Sequence, residues 1–224
     1  MSLLSVDGRK GDALPTFKKS QTVHALWQTL KNPAHKTAPA PALFIRRYDK
    51  LLSVDVPLNR DERAGQAGYD NEMTAAQVFL MAVALVLMDS GLGLGTAGFF
   101  VHHARESLLK QYERIMLPQN RPSYLNEKDR EDLTVWLLLQ NRDMQELYPA
   151  YDRSKIEGWG GKGLPPLIIN PRYAFGKNGR NVTLDAYISG GTHNHVLVVE
   201  LARLASVLTH NLKHAPVLRR GRPS

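Results

Sequence analysis

The stretch from Met73 to Met116 reads MTAAQVFLMAVALVLMDSGLGLGTAGFFVHHARESLLKQYERIM and decides the fold. Its first half holds eleven consecutive apolar residues, Val78 to Met88. A helix that is apolar on every side is buried on every side, so this run predicts a helix at the centre of the protein. Thr74 and Gln77 have the spacing of a capping box and mark its start. Gly91 suits the left-handed position that follows a helix.

A second helix is expected directly after this glycine-containing turn. Thr96 is its predicted N-cap, and apolar residues then recur at intervals of three and four up to Met116. Pro118 predicts the end of the helix. The opposite side of this helix carries Phe99, His102, His103, Glu106, Lys110 and Glu113.

A transmembrane span from Val78 to Val101 is the competing interpretation of this stretch. Asp89 would lie near the bilayer centre, where an aspartate costs about 2.5–3.5 kcal/mol on insertion scales. The apolar run before it is also only about half the length that a bilayer requires. We therefore expect no membrane partner.

Composition favours a globular protein of ordinary domain size. The 224 residues include no cysteine, which excludes disulfides and thiolate metal sites and is compatible with a reducing compartment. The first residues, MSLLSVDGRKGD, lack the apolar segment of a signal peptide. We accordingly expect a cytoplasmic protein.

The positive charge is concentrated at the two ends of the chain. Residues 1–42 hold six basic and two acidic residues, and residues 213–224 hold four basic and none acidic, so each end carries a net charge of +4. Residues 43–212 carry nineteen of each sign and are neutral. Basic tails beside a folded body are typical of polyanion binding, because neutralised phosphates release counterions. The alternative is that the tails only aid solubility.

These boundaries also give the predicted domains, within a mainly helical α+β fold with a small sheet or wing. Residues 1–42 form a flexible region with a short helix at 22–31, whose docking on the body is left open. Residues 43–212 form the globular domain, and residues 213–224 form a basic tail. The segment 43–56 is either a strand or a helix.

Further elements are predicted after the central stretch. Strands are expected at Thr134 to Leu139, at Leu167 to Asn170 and at Val182 to Ser189. A last helix is expected from about Asn194 to Leu212.

The two helices and the turn between them resemble the helix-turn-helix of bacterial transcriptional regulators and, more loosely, MerR-like and winged variants. The resemblance covers about forty residues, with small Ala97 near the start of the second helix and Val101 on its buried side. It implies a bacterial or phage-type regulator that binds double-stranded DNA through the outer side of this second helix. Glu106 and Glu113 lie on the same side and would repel phosphates. The implied contacts are Thr96, Phe99, His102, His103 and Lys110.

The C-terminal tail resembles an AT-hook, whose Arg-Gly-Arg-Pro core lies in the minor groove of A·T-rich DNA. The matching residues are Arg219, Arg220, Gly221, Arg222 and Pro223. Glycine lets the backbone approach the groove floor, and arginines follow its negative potential. A frayed basic end without a special role is the alternative.

Other chemistry is weakly indicated. Four histidines, His193, His195, His210 and His214, could bind zinc, which would make the protein a hydrolase. The glycine-rich segment Gly158 to Gly163 lacks the spacing of a phosphate-binding loop. We expect neither an enzyme nor a cofactor. A different alternative is a protein-interaction module, a homo-oligomer included, in which a partner buries Trp27 or Phe99.

Overall fold

The computed structural model describes residues 15–32, 34, 39–58, 62, 72–117, 134–140, 171–176, 185–186, 189 and 196–217. Within these ranges the elements follow one another as β1 (Thr16–Phe17), α1 (Lys19–Leu30), α2 (Ala42–Ser53), β2 (Met73–Thr74), α3 (Ala75–Asp89), α4 (Leu94–His103), α5 (Arg105–Met116), β3 (Val135–Gln140), β4 (Arg172–Phe175), β5 (Val196–Glu200) and α6 (Leu201–Lys213). The strands form two small antiparallel sheets. The predicted class, mainly helical α+β with a small sheet, is confirmed.

Helix α3 is the centre of the fold. Every residue from Val78 to Leu85 is buried, as is Leu87, so the helix is covered on all sides as its composition predicts. Its neighbours are α1, α2, α4, α5 and α6. Among the described residues, no helix is long and apolar enough to cross a membrane. Helix α3 has 15 residues and ends at Asp89, so the segment 78–101 is not one continuous helix.

Both predicted ends of α3 are confirmed. The Gln77 backbone N–H donates to Thr74 Oγ1 at 3.3 Å, and the Thr74 N–H donates to Gln77 Oε1 at 2.8 Å, which completes the capping box. After the helix, Gly91 has φ +97°, the left-handed conformation that glycine adopts without steric cost. The Leu92 N–H then closes the turn on the Leu87 carbonyl at 3.1 Å.

The second helix differs from its prediction at its start and at its middle. It begins at Leu94 with Gly93 as N-cap, so Thr96 lies inside the first turn and is not the cap. The reason is that the turn closes by Leu92, which lets the helix restart three residues earlier. The predicted single helix is also divided into α4 and α5 at Ala104. The two halves have different neighbours, since α4 contacts α2 and α5 contacts α6.

The three-stranded sheet has β3 at its centre, antiparallel to β4 and to β5. Val135, Leu137 and Leu139 alternate along β3 and join the helical core. One face of the sheet therefore packs on the helices. Strand β3 agrees with the predicted strand at 134–139.

Two predictions in the C-terminal half are wrong. The expected helix from Asn194 to Leu212 starts only at Leu201, because Val196–Glu200 forms β5 against β3. Three of these five residues are valine, whose branched side chain favours a strand. Asp185 and Ala186, inside the predicted strand 182–189, are helical. The predicted strand 167–170 lies outside the described residues.

Helix α1 belongs to the same core as the later helices. Ala25 and Leu26 are fully buried in that core. Asn211 Nδ2 of α6 donates to Thr29 Oγ1 at 3.0 Å, and β1 pairs with β2 just before α3. The predicted short N-terminal helix is confirmed, and it packs on the body. The helical core consequently begins before residue 43.

Helix α2 resolves the choice between strand and helix at 43–56. It is amphipathic: Phe44, Tyr48 and Leu51 are buried on its inner side. Their spacing of four and three residues puts them on one side of a helix. The helix ends at Ser53, and Asp55 follows with a positive φ of 61°.

Candidate nucleic-acid interface

The structure brings three of the predicted DNA contacts together on α4, a set that we call the α4 cluster: Phe99, His102 and His103. The ring centroids of Phe99 and His103 are 4.1 Å apart, and those of His102 and His103 are 5.2 Å apart. The two histidines are exposed, whereas Phe99 is half-buried. Thr96, also half-buried, lies one turn before the cluster on the same side of the helix.

The electrostatics of the α4 cluster do not favour phosphate binding. Partial burial, with a smaller contribution from the neighbouring His102, lowers the pKa of His103 below its ordinary value. His103 is therefore mainly neutral near pH 7 and adds little positive charge. Its ring contacts the tilted ring of Phe99 on the same helix, with an angle of 46° between the two planes.

Lys110, the remaining predicted contact, lies on α5 beside acidic residues. Its Nζ is 3.2 Å from Glu106 Oε1, so its charge is neutralised within one turn of the helix. Glu113, also exposed, follows on α5. With Arg114, which is also exposed, α5 carries two exposed acids and two exposed bases, so this surface has no net positive charge to attract phosphates.

A second surface, which the sequence pattern alone does not predict, lies on α2. Leu43, Arg46 and Lys50 are spaced by three and four residues, which places them on one side of the helix. All three are exposed, and Leu43 has 70% of its surface accessible. Within the described part of the chain, neither Arg46 nor Lys50 forms an ion pair. We call these three residues the outer face of α2.

Aromatic packing fixes the opposite side of α2. The ring of Trp27, on α1, meets the ring of Phe44 edge-on with centroids 5.3 Å apart. Tyr48 is fully buried and directs its hydroxyl at the Met73 sulfur, 3.7 Å away. Trp27 is thus packed within its own chain, which weakens the hypothesis that a partner buries it.

Two ion pairs connect α2 to neighbouring helices. Lys19 Nζ of α1 is 2.6 Å from Asp49 Oδ1, and Arg47 Nη1 is 2.7 Å from Asp89 Oδ1 at the end of α3. Lys19 neutralises the acid nearest to the outer face of α2, and Asp89 neutralises Arg47. The positive charge that faces solvent on α2 therefore belongs to Arg46 and Lys50.

Several predicted site residues lie outside the described residues. They are the tail residues Arg219 to Pro223 and the histidines His193 and His195. His210 and His214 are described at the end of α6, with ring centroids 4.3 Å apart. The described residues contain no group of three or more side chains that could hold a metal ion.

An open cavity of about 290 Å³ lies between α1, α3, β5 and α6. Of its polar lining groups, the hydroxyl of Thr29 donates to the Ala25 carbonyl at 2.7 Å and that of Ser90 donates to the Val86 carbonyl at 2.9 Å. Because both protons are engaged within the chain, neither hydroxyl is poised to act as a nucleophile.

A signal for the α2 surface was present in the sequence. Arg46 and Arg47 precede Lys50 in the segment whose type was left open. Only the assignment of a helix shows which of the three cations face outward, because Arg47 points to a different side from Arg46.

Comparison with known proteins adds no assignment. No model of a protein family matches the chain, and no curated protein matches it.

Proposed function

We propose that this protein is a non-enzymatic, cytoplasmic DNA-binding protein, a transcriptional regulator of bacterial or phage type, and that α2 lies in the major groove. The observation that carries the proposal is the outer face of α2. It places an exposed leucine and two cations on one side of a helix whose other side is fixed by packing.

The side chains on this face match the chemistry of the major groove. An arginine such as Arg46 can donate two hydrogen bonds to the O6 and N7 atoms of guanine, and a lysine such as Lys50 can contact guanine or a phosphate. Apolar side chains contact the methyl group of thymine, which gives a role to the exposed Leu43. The groove is wide enough to admit an α-helix.

The order of the elements supports the same assignment. Helices α1 and α2 follow one another and pack together, and in a helix-turn-helix the second helix is the one that enters the major groove. The connection between them, residues 31–41, is longer than the usual three or four residues. The strand before α1 pairs with the strand before α3, which joins α1 to the central helix.

This proposal keeps the class of protein expected from the sequence and moves the contact surface. The stretch from α3 to α4 was expected to supply the helix-turn-helix, with α4 in the groove. The lowered pKa of His103 and the ion pair of Lys110 with Glu106 support α4 less well than the cationic face supports α2.

The tail completes the proposal. The Arg-Gly-Arg-Pro element at 220–223 would hold an A·T-rich minor groove beside the site of α2. Because the tail is tethered to the body, its effective concentration at the neighbouring groove is high, and two weak contacts together give strong binding.

The test is a DNA-binding titration at several salt concentrations on a pool of random duplexes. It compares the wild type with R46A/K50A and with K110A/R203A, a control that loses the same charge at two exposed residues outside α2 and the tail. We expect R46A/K50A to weaken binding at least about ten-fold, since each base or phosphate contact contributes about 1–3 kcal/mol. The control should lose less than about three-fold.

Two outcomes would contradict the proposal. Equal losses in both double variants would mean general attraction between charges. A wild-type protein that binds no duplex at low salt would exclude DNA binding and favour the protein-interaction module.

A further inference from the structure

We propose that Asp89, the last residue of α3, is a positioning residue that fixes α2 through its ion pair with Arg47. The inference rests on the proposed function, because the helix that it fixes is the one assigned to the major groove. Asp89 itself lies on another helix and has the wrong charge to contact DNA.

The geometry of the pair joins two distant parts of the chain. Arg47 Nη1 and Asp89 Oδ1 are 2.7 Å apart, a short distance for a charge-assisted hydrogen bond. Forty-two residues separate the two in sequence, so the pair links α2 to the corner between α3 and α4. The Arg47 side chain is 27% exposed, whereas that of Asp89 is 50% exposed.

A second ion pair holds α2 on its other flank. Asp49 of α2 pairs with Lys19 of α1 at 2.6 Å. Arg47 and Asp49 are two residues apart, which separates their directions by about 200° around a helix with 3.6 residues per turn. The two ion pairs therefore hold α2 from opposite flanks, with the outer face between them.

Rotation of α2 about its axis is the movement that these pairs resist. The packing of Phe44, Tyr48 and Leu51 holds the inner side of the helix. The ion pairs on the flanks add directional contacts to this packing and so help to set the angle at which Arg46 and Lys50 point outward. Loss of one of the two ion pairs should allow α2 to rotate or to unfold locally more often.

The inference predicts an effect opposite in sign to simple electrostatics. Removal of an acid close to a DNA-binding helix should strengthen binding if charge alone matters. If Asp89 positions α2, the same removal weakens binding. Release of Arg47 to contact a phosphate would also strengthen binding, and would steepen the salt dependence by up to about 0.9 per contact.

The variants are Asp89→Asn, Asp89→Glu and the control Glu106→Gln. Glu106 is also an exposed carboxylate in an ion pair, but its partner Lys110 lies on the same helix, so its loss leaves α2 untouched. Two quantities are measured on each full-length variant: affinity for the random duplex pool, and hydrogen exchange of the amides of α2. The second quantity does not depend on DNA.

We expect Asp89→Asn to weaken DNA binding and to speed exchange in α2 by about two- to five-fold, the range of a surface ion pair. The slope of log affinity against log salt should stay unchanged. Asp89→Glu should recover most of both properties, because it restores the carboxylate. Glu106→Gln should bind DNA as well as the wild type or better.

Unchanged exchange in α2 of Asp89→Asn, or tighter DNA binding with a steeper salt slope, would overturn the inference. If the wild type binds no DNA while Asp89→Asn still loosens α2, the proposed function fails and the positioning of α2 by Asp89 stands.

Discussion

Helices α2 and α4 both pack against the buried α3, and both present an outer side, yet the two sides differ in chemistry. The outer face of α2 carries two cations and an exposed leucine without partners among the described residues. The residues of the α4 cluster contact one another. We therefore base the choice between the two helices on the charge and exposure of their side chains. The position of α4 after a glycine turn carries less weight.

The largest expected effect comes from a substitution in α3, the buried helix against which both α2 and α4 pack. Leu85→Ala in α3 deletes a fully buried side chain and should lower the free energy of unfolding by about 2–5 kcal/mol. Denaturant titration measures this loss. The control Leu43→Ala removes an exposed leucine and should change stability by no more than about 0.5 kcal/mol. A large loss in the control would show that α2 is packed differently.

The second prediction compares the DNA affinity of a variant on the outer face of α2 with that of a variant in the α4 cluster. Arg46→Ala should weaken duplex binding by about 1–3 kcal/mol, since it removes the proposed guanine contact. His102→Ala, on the other surface, should leave affinity within about two-fold of the wild type. Fluorescence anisotropy with a labelled duplex measures both variants. A larger loss of affinity in His102→Ala than in Arg46→Ala would contradict the assignment to α2 and favour α4 as the DNA-binding helix.

The turn that places α4 gives a smaller effect on stability. Gly91→Ala puts a side chain at φ +97° and should destabilise the protein by about 1 kcal/mol. Gly95→Ala is the matched control, because Gly95 is helical and an added Cβ there meets no atom within 4 Å. It should stabilise the protein, by up to about 1 kcal/mol. Thermal unfolding of both variants checks the opposite signs.

The smallest effect concerns pH and the histidines of α4. Burial and the neighbouring His102 lower the pKa of His103, so the unfolded chain binds a proton more readily than the folded protein. Stability from neutral His103 is therefore complete above pH 6.5 and is lost as the pH falls through the lower pKa of the folded state. His103→Asn should show a smaller fall in Tm between pH 7.5 and pH 5 than the wild type.

DNA binding adds a second measurement to this prediction. Contact through α4 would strengthen duplex binding as His103 gains a proton, whereas α2 has no histidine. The difference in affinity between the wild type and H103A should accordingly stay constant from pH 8 to pH 5. A difference that grows at low pH would contradict the assignment to α2.

Much of the fold could be predicted because its signals are local. The capping box at Thr74, the apolar run of α3 and the conformation of Gly91 depend on residues that are neighbours in sequence. Strand β5 could not be found in this way. Its valines also suit a buried helix, and only pairing with β3, far away in sequence, selects the strand.

The candidate site was predictable only in part. The sequence predicted the residues of the α4 cluster, which the structure brings together on one helix, and the cations of the tail, which lie outside the described residues. It did not show that Asp49 and Asp89 neutralise their neighbours on α1 and α2, because these ion pairs join residues distant in sequence. Those pairs decide which cations of α2 remain for a ligand.

Site-specific photo-crosslinking tests the central claim most directly. A photoreactive phenylalanine analogue is placed at Leu43, on the outer face of α2, or at Phe99, in the α4 cluster, and each protein is irradiated with the same labelled duplex. Contact through α2 predicts a protein–DNA adduct from position 43 that unlabelled duplex competes away, with little adduct from position 99. Adduct from position 99 and none from position 43 would contradict it.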